Sequence, residues 1–147
     1  MTCSRPTSLL AIALLAACGT EPGPGPATDP AGTYTVEYDP PRLVYATIEC
    51  DRLLTHALLA LGENRDFDLS INVIDDCRRG GGGFDFYEVL FLGTYSVSDT
   101  LLAFTPDSAF SPTFSGTFGA SSVSLVIPPN VGSLAPVTIT LTVAAEP

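Results

Sequence analysis

Asp66-Phe67-Asp68-Leu69-Ser70-Ile71-Asn72-Val73 decides the fold. Its apolar residues Phe67, Leu69, Ile71 and Val73 fall on every second position, with Asp66, Asp68, Ser70 and Asn72 between them. That period of two is the signature of a strand with one buried and one wet face. The same pattern closes the chain, where Val137, Ile139, Leu141 and Val143 alternate with Thr138, Thr140 and Thr142. Shorter copies run through Tyr34, Val36 and Tyr38, through Phe114, Gly116 and Phe118, and through Val123, Leu125 and Ile127. Further strands are expected at Leu43 to Glu49, Phe86 to Val97 and Leu101 to Thr105.

One segment reads two ways. Leu53, Leu54, Ala57, Leu58 and Leu61 fit a helical face, with Asp51 as N-cap and Gly62 as stop. The tight connection Leu61-Gly62-Glu63-Asn64-Arg65-Asp66-Phe67 instead makes this stretch the first arm of a hairpin, and the expectation here is strand. The total is about nine strands between residues 32 and 143, joined by short turns such as Ser98-Asp99 and Gly119-Ala120-Ser121. This spacing predicts an all-β, antiparallel up-and-down barrel of about eight or nine strands, which hides its edges by closing on itself. The alternative is an immunoglobulin-like β-sandwich. Pairing of the first strand with the last distinguishes the two.

Composition agrees with one packed domain. The chain has 147 residues, 46% of them hydrophobic, too many for a disordered polymer. Its formal charge is −10, and its six basic residues are all Arg, which leaves no cationic surface for nucleic acid.

The first residues set the expected compartment. Arg5 precedes an apolar run from Leu9 to Ala17, which is too short to span a bilayer and suits a signal-peptide core. The run ends in Leu15-Ala16-Ala17-Cys18-Gly19, which resembles the lipobox of bacterial lipoproteins. That resemblance implies a signal peptide over residues 1–17, cleavage before Cys18, and lipidation of the Cys18 thiol. The membrane is then a partner through the lipid alone, anchored by more than one acyl chain. An ordinary secretory leader, with Cys18 left as a thiol, is the other reading. Gly19 follows the lipidated cysteine where an Asp would signal inner-membrane retention, so the expected location is the bacterial cell envelope, at the outer membrane. Gly19 to Pro30 alternates Pro and Gly and reads as a tether, giving a lipidated cysteine and linker over 18–30 and a barrel domain over 31–147. Loss of Arg5 with the leader makes the chain still more acidic, so anionic lipid should repel the domain itself.

With Cys3 in the leader and Cys18 lipidated, Cys50 and Cys77 remain and are expected to form a disulfide in an exported protein. A zinc site is the rival, but two thiols and the lone His56 leave it short of ligands. In an up-and-down meander, Cys50 ends one strand and Cys77 ends the strand two further on, which places both at the same end.

The segments Ala31-Gly32-Thr33-Tyr34-Thr35-Val36 and Leu92-Gly93-Thr94-Tyr95-Ser96-Val97, with Phe114-Ser115-Gly116-Thr117-Phe118 and Ser122-Val123-Ser124-Leu125, resemble bacterial lipoproteins carrying a small lipocalin-like barrel. The resemblance covers most of the chain beyond the tether and implies a barrel that binds a small apolar ligand at the envelope. The alternative is a structural or protein-interaction lipoprotein without a pocket, because Tyr34, Tyr38, Phe67, Phe114 and Phe118 are large enough to fill the lumen.

Signals for chemistry are few. There is one histidine, no tryptophan, and no Gly-x-Ser-x-Gly or His-Glu-x-x-His motif, so no catalytic residue, cofactor or metal is assigned. Gly80 to Gly83 lacks the Lys-Ser/Thr of a phosphate loop. Glu49, Asp51, Asp75 and Asp76 converge if the disulfide forms, either as hard oxygen ligands for calcium or, as expected, as turn carboxylates neutralised by Arg52, Arg78 and Arg79. Glu88 shares a strand face with Phe86, Leu90 and Leu92, either as a buried acid at a ligand site or, more simply, at an edge.

Overall fold

A computed structural model describes residues 29–127 and 137–144. Cys18, the leader and the tether up to residue 28 lie outside the described residues. Eight strands occur among those described: β1 (Gly32–Ala46), β2 (Asp51–Leu61), β3 (Asp66–Asp76), β4 (Phe84–Ser98), β5 (Leu101–Pro106), β6 (Phe114–Phe118), β7 (Ser122–Ile127) and β8 (Val137–Val143). A single 3-10 turn, Arg78–Gly80, joins β3 to β4. Each strand pairs antiparallel with the next, and β1 pairs with β8 through Tyr34↔Val143 and Thr35↔Thr142. The barrel is therefore closed, and the sandwich alternative is excluded.

Two of the nine expected strands are one. Tyr34 to Tyr38 and the segment beginning at Leu43 join as β1 across Asp39-Pro40-Pro41, which falls in a break of register with β2 between Glu37 and Arg42. Pro lacks a ladder donor and is tolerated at such a bulge on an edge. The helix-or-strand ambiguity over residues 52–61 also has a local cause. Thr55 is the extra residue of a bulge between Leu54 and His56, so Leu54 and Ala57 both face inward although three residues apart. A bulged strand thus imitates helical spacing.

Alternation places the apolar residues inside. Leu59, Leu69, Ile71, Leu102, Phe104, Val123, Leu125, Ile139 and Leu141 are almost wholly buried, and no polar or charged residue is buried among the described residues. Full burial of one such side chain contributes roughly 1.5–3 kcal/mol. The middle of the lumen is filled by rings from β3, β4, β5 and β6. Phe104 stacks on Phe114 with centroids 4.7 Å apart, and Phe67 stands edge-on to both at 5.0 and 5.7 Å. Phe91 and Tyr95 flank this group, 5.7 Å from Phe114 and 6.2 Å from Phe104 respectively. Gly93 makes room for it: a Cβ there would lie 2.9 Å from Phe67 Cε1 and 2.2 Å from the Thr105 carbonyl oxygen.

The two ends of the barrel differ. At the base, Tyr34 Oη donates to the carbonyl of buried Pro30 and Tyr95 Oη donates to that of Gly62, each at 2.9 Å. The Gly-Thr-Tyr segments thus perform the same closing task twice. Burial, followed by the nearby Tyr95 and Asp29, raises the Tyr34 hydroxyl above its ordinary pKa. At the other end, the mouth, β1 to β4 run well beyond the short strands β5 to β8. β4 pairs with β3 from Thr94 to Phe84 but with β5 only from Ser98 to Gly93. Half of the wall therefore rises above the closed ring as a four-stranded extension.

Candidate functional site

The extension at the mouth gathers most of the polar side chains singled out from sequence. Register sets Arg52 on β2 opposite Asp75 on β3, with Tyr45 beside Arg52 on β1 and Asp85 beside Asp75 on β4. The Arg52 guanidinium donates through Nε and Nη2 to both Asp75 oxygens, at 2.6 and 2.5 Å. It also lies over the Tyr87 ring, 5.3 Å from the centroid, while Tyr87 Oη donates to Asp75 Oδ2 at 3.4 Å. These groups sit above buried Leu54 and Val73, at the boundary between apolar lumen and solvent.

Electrostatics follow the contacts. The hydrogen bond from Arg52 holds the Asp75 carboxyl below the ordinary carboxylate range, opposed by partial burial. The reciprocal bond raises Arg52 further. Burial pushes the Tyr87 phenol up. The set is a charge-assisted clamp across β2, β3 and β4, satisfied by its own members.

The rim is organised by the Cys50–Cys77 disulfide, which ties the β1–β2 connection to the end of β3 as expected. Around it Asp51, Asp75 and Asp76 each have an arginine partner, while Glu49 forms no ion pair among the described residues. Arg78 donates to Asp76, with the closest approach at 2.7 Å, and this bond lowers the Asp76 pKa. Arg79 pairs with Asp51 and also reaches the Thr47 carbonyl at 3.2 Å. Asp51 and Asp76 face each other across β2 and β3 with their arginines, whereas Asp75 lies on the opposite face of the sheet with Arg52, so the carboxylates do not gather as the sequence suggested, and no group of three or more metal-ligating side chains occurs among the described residues. Gly81 adopts φ 81° and closes the 3-10 turn through its amide to the Arg78 carbonyl, so the glycine run shapes the rim.

Other candidates lie elsewhere. His56 Nε2 meets Thr35 Oγ1 at 3.0 Å on the outer wall between β1 and β2, away from the mouth cluster. Glu88 is exposed on the outer face of β4 and accepts from Ser70 Oγ, so the buried-acid reading does not hold. Tyr34, Phe67, Phe114 and Phe118 point inward and are buried, and Tyr38 packs partly buried against them.

Two features escaped the sequence. Tyr87 and Tyr45 join the Arg52–Asp75 pair only through cross-strand register. The free upper part of β4 was foreshadowed by unequal lengths, since an expected strand at 86–97 cannot be paired throughout by one at 101–105. Charge is also unevenly placed: β5, β6, β7 and β8 contain no charged residue, so charged strand faces belong to β1 to β4 alone.

Comparison with protein families, with curated proteins and with solved structures finds no match to this chain.

Proposed function

We propose that this chain is an exported bacterial lipoprotein, anchored in the outer membrane through lipidated Cys18, whose lipocalin-like barrel is an interaction module of the cell envelope. The observation that carries the reading is the filled lumen: Phe67, Phe91, Tyr95, Phe104 and Phe114 occupy the space a carrier barrel would leave for its cargo. Recognition then belongs to the outer wall and the mouth. The disulfide supports export, since such bonds persist in oxidising compartments. An apolar, side-chain-filled interior supports a domain standing in water, since it is the reverse of the polar lumen of a membrane-spanning barrel.

The anchor is tested by Cys18→Ser in the full chain, expected to abolish detergent partitioning and radiolabelled fatty-acid incorporation. The module is tested by crosslinking in intact cells; the absence of any repeatable protein neighbour overturns it.

A second reading has one observation in its favour. The inner face of the extension carries Tyr38, Val44, Tyr87 and Val89, all only partly buried, above the aromatic plug. A small apolar ligand bound there would be detected by native mass spectrometry of protein purified from its own host. Repeated preparations without a bound molecule overturn that reading.

A further inference from the structure

The two long strands bordering the extension treat their free sides differently. β1 leaves β8 after Thr35, and its free side is blunted. It bends through Asp39-Pro40-Pro41, loses register with β2 twice, and sends Arg42 across the gap to the Thr138 carbonyl at 3.0 Å. Prolines, bulges and charge are the usual devices that keep a strand edge from pairing.

The free side of β4 has no proline and no bulge, and its only charged residues are Asp85 and Glu88. Its register with β3 is unbroken from Asp66↔Thr94 to Asp76↔Phe84. The last bond on its other side is from the Asp107 amide to the Leu92 carbonyl, at 2.8 Å, and no described residue pairs with β4 beyond it. The Tyr95 amide points the opposite way, to the Arg65 carbonyl. Backbone groups alternate along a strand, so the amides and carbonyls of Phe84, Phe86, Glu88 and Leu90 face the open side with that of Leu92.

The flanking side chains are also unfinished. An apolar row crosses the outer face from Leu43 through Leu53 and Ile74 to Phe86, where it stops with Phe86 74% exposed. Leu90, two same-face positions further along, is 54% exposed, and between them stands Glu88. Each of these would gain a cross-strand neighbour if one more strand were present.

We propose that the open side of β4, from Phe84 to Leu90, takes up an extended strand of another protein by β-sheet augmentation. That strand carries apolar side chains opposite Phe86 and Leu90 and a lysine or arginine opposite Glu88. Main-chain bonds supply affinity and the alternate side chains supply selectivity. Charge selects against a second copy: two chains of formal charge −10 repel, and the antiparallel self-pairing centred on Glu88 that would match Phe86 with Leu90 sets Glu88 against Glu88. The inference rests on the interaction-module reading and names its surface and partner class.

The test uses the full chain in mild detergent and the synthetic peptide acetyl-Thr-Val-Thr-Lys-Thr-Val-Thr-amide at millimolar concentration. In the free protein the Phe86, Glu88 and Leu90 amides are expected to exchange hydrogen quickly, and binding is expected to slow them. N-methylation of the two valine amides and the lysine amide should abolish it. The same peptide with Glu in place of Lys should bind about fivefold more weakly, and Glu88→Lys should reverse that preference by a similar factor. Because Glu88 is exposed, this variant keeps the fold, which circular dichroism checks. Four results overturn the assignment: no binding of the lysine peptide, an unchanged preference in Glu88→Lys, protection of these amides in the free monomer by the chain itself, or protection that grows with protein concentration as copies pair. If any of these occurs while crosslinking in cells still recovers a protein neighbour, the β4 edge is not the surface and the module reading stands.

Discussion

Arg52 and Asp75 face one another across β2 and β3 with both carboxylate oxygens engaged by one guanidinium, at the level where the apolar lumen gives way to water. Only 28% of the Arg52 side chain and 21% of the Asp75 side chain remain accessible, so neither partner is easily rehydrated in place when the other is removed.

Arg52→Ala or Asp75→Asn is therefore expected to cost about 1–2 kcal/mol, between an exposed ion pair and a fully buried one. Urea unfolding at neutral pH checks this. The effect depends on acidity with a definite sign. The folded Asp75 pKa is depressed, so its contribution is complete above the unfolded pKa, near 4, and is lost as pH falls through the lower folded value. The stability gap between wild type and Asp75→Asn should narrow below about pH 4 and hold steady above about pH 5.

Opening the rim has a larger effect. Cys50 and Cys77 are 27 residues apart in sequence, and on the chain-entropy account their bond stabilises the fold by about 3–4 kcal/mol. A Cys50→Ser, Cys77→Ser double variant should lose about that much by urea unfolding, and adding reductant should affect wild type alone.

The aromatic plug predicts which core truncation is worst. Phe104 is 1% exposed and contacts Phe67, Tyr95 and Phe114, so Phe104→Ala should lose about 3–5 kcal/mol. Leu101→Ala on the same strand faces solvent and should stay within about 0.5 kcal/mol of wild type. Thermal melts of both variants at one pH make the comparison.

A methyl group discriminates between two glycines. At Gly93 it meets backbone on β5, and Gly93→Ala is expected to cost about 1–3 kcal/mol through overpacking. At Gly83 nothing lies within 4 Å, so Gly83→Ala should be nearly neutral in the same unfolding measurement.

Period-two alternation was enough to read the barrel, because each strand has one apolar face and consecutive strands share it. Asp66 to Val73 shows this in its barest form, and the common end of Cys50 and Cys77 followed from up-and-down order. What local pattern misreads is irregularity. The bulge at Thr55 gives Leu54 and Ala57 a helical separation, and the prolines of β1 look like a strand break until the bulge absorbs them. The mouth cluster was half legible: composition put Arg52 and Asp75 near the disulfide, but which side chains meet is set by long-range register, and so Tyr87 and Tyr45 were missed.

The unequal attachment of β1 has a mechanical consequence. It is laced to β2 over most of its length but to β8 by two residue pairs, and it is the strand through which the chain enters the barrel. Tension drawn along β1 from Gly32 would meet the β1–β2 bonds in shear, many at once, while the narrow β8 seam yields first. Under traction the cylinder would unroll at that seam before β1 parts from β2.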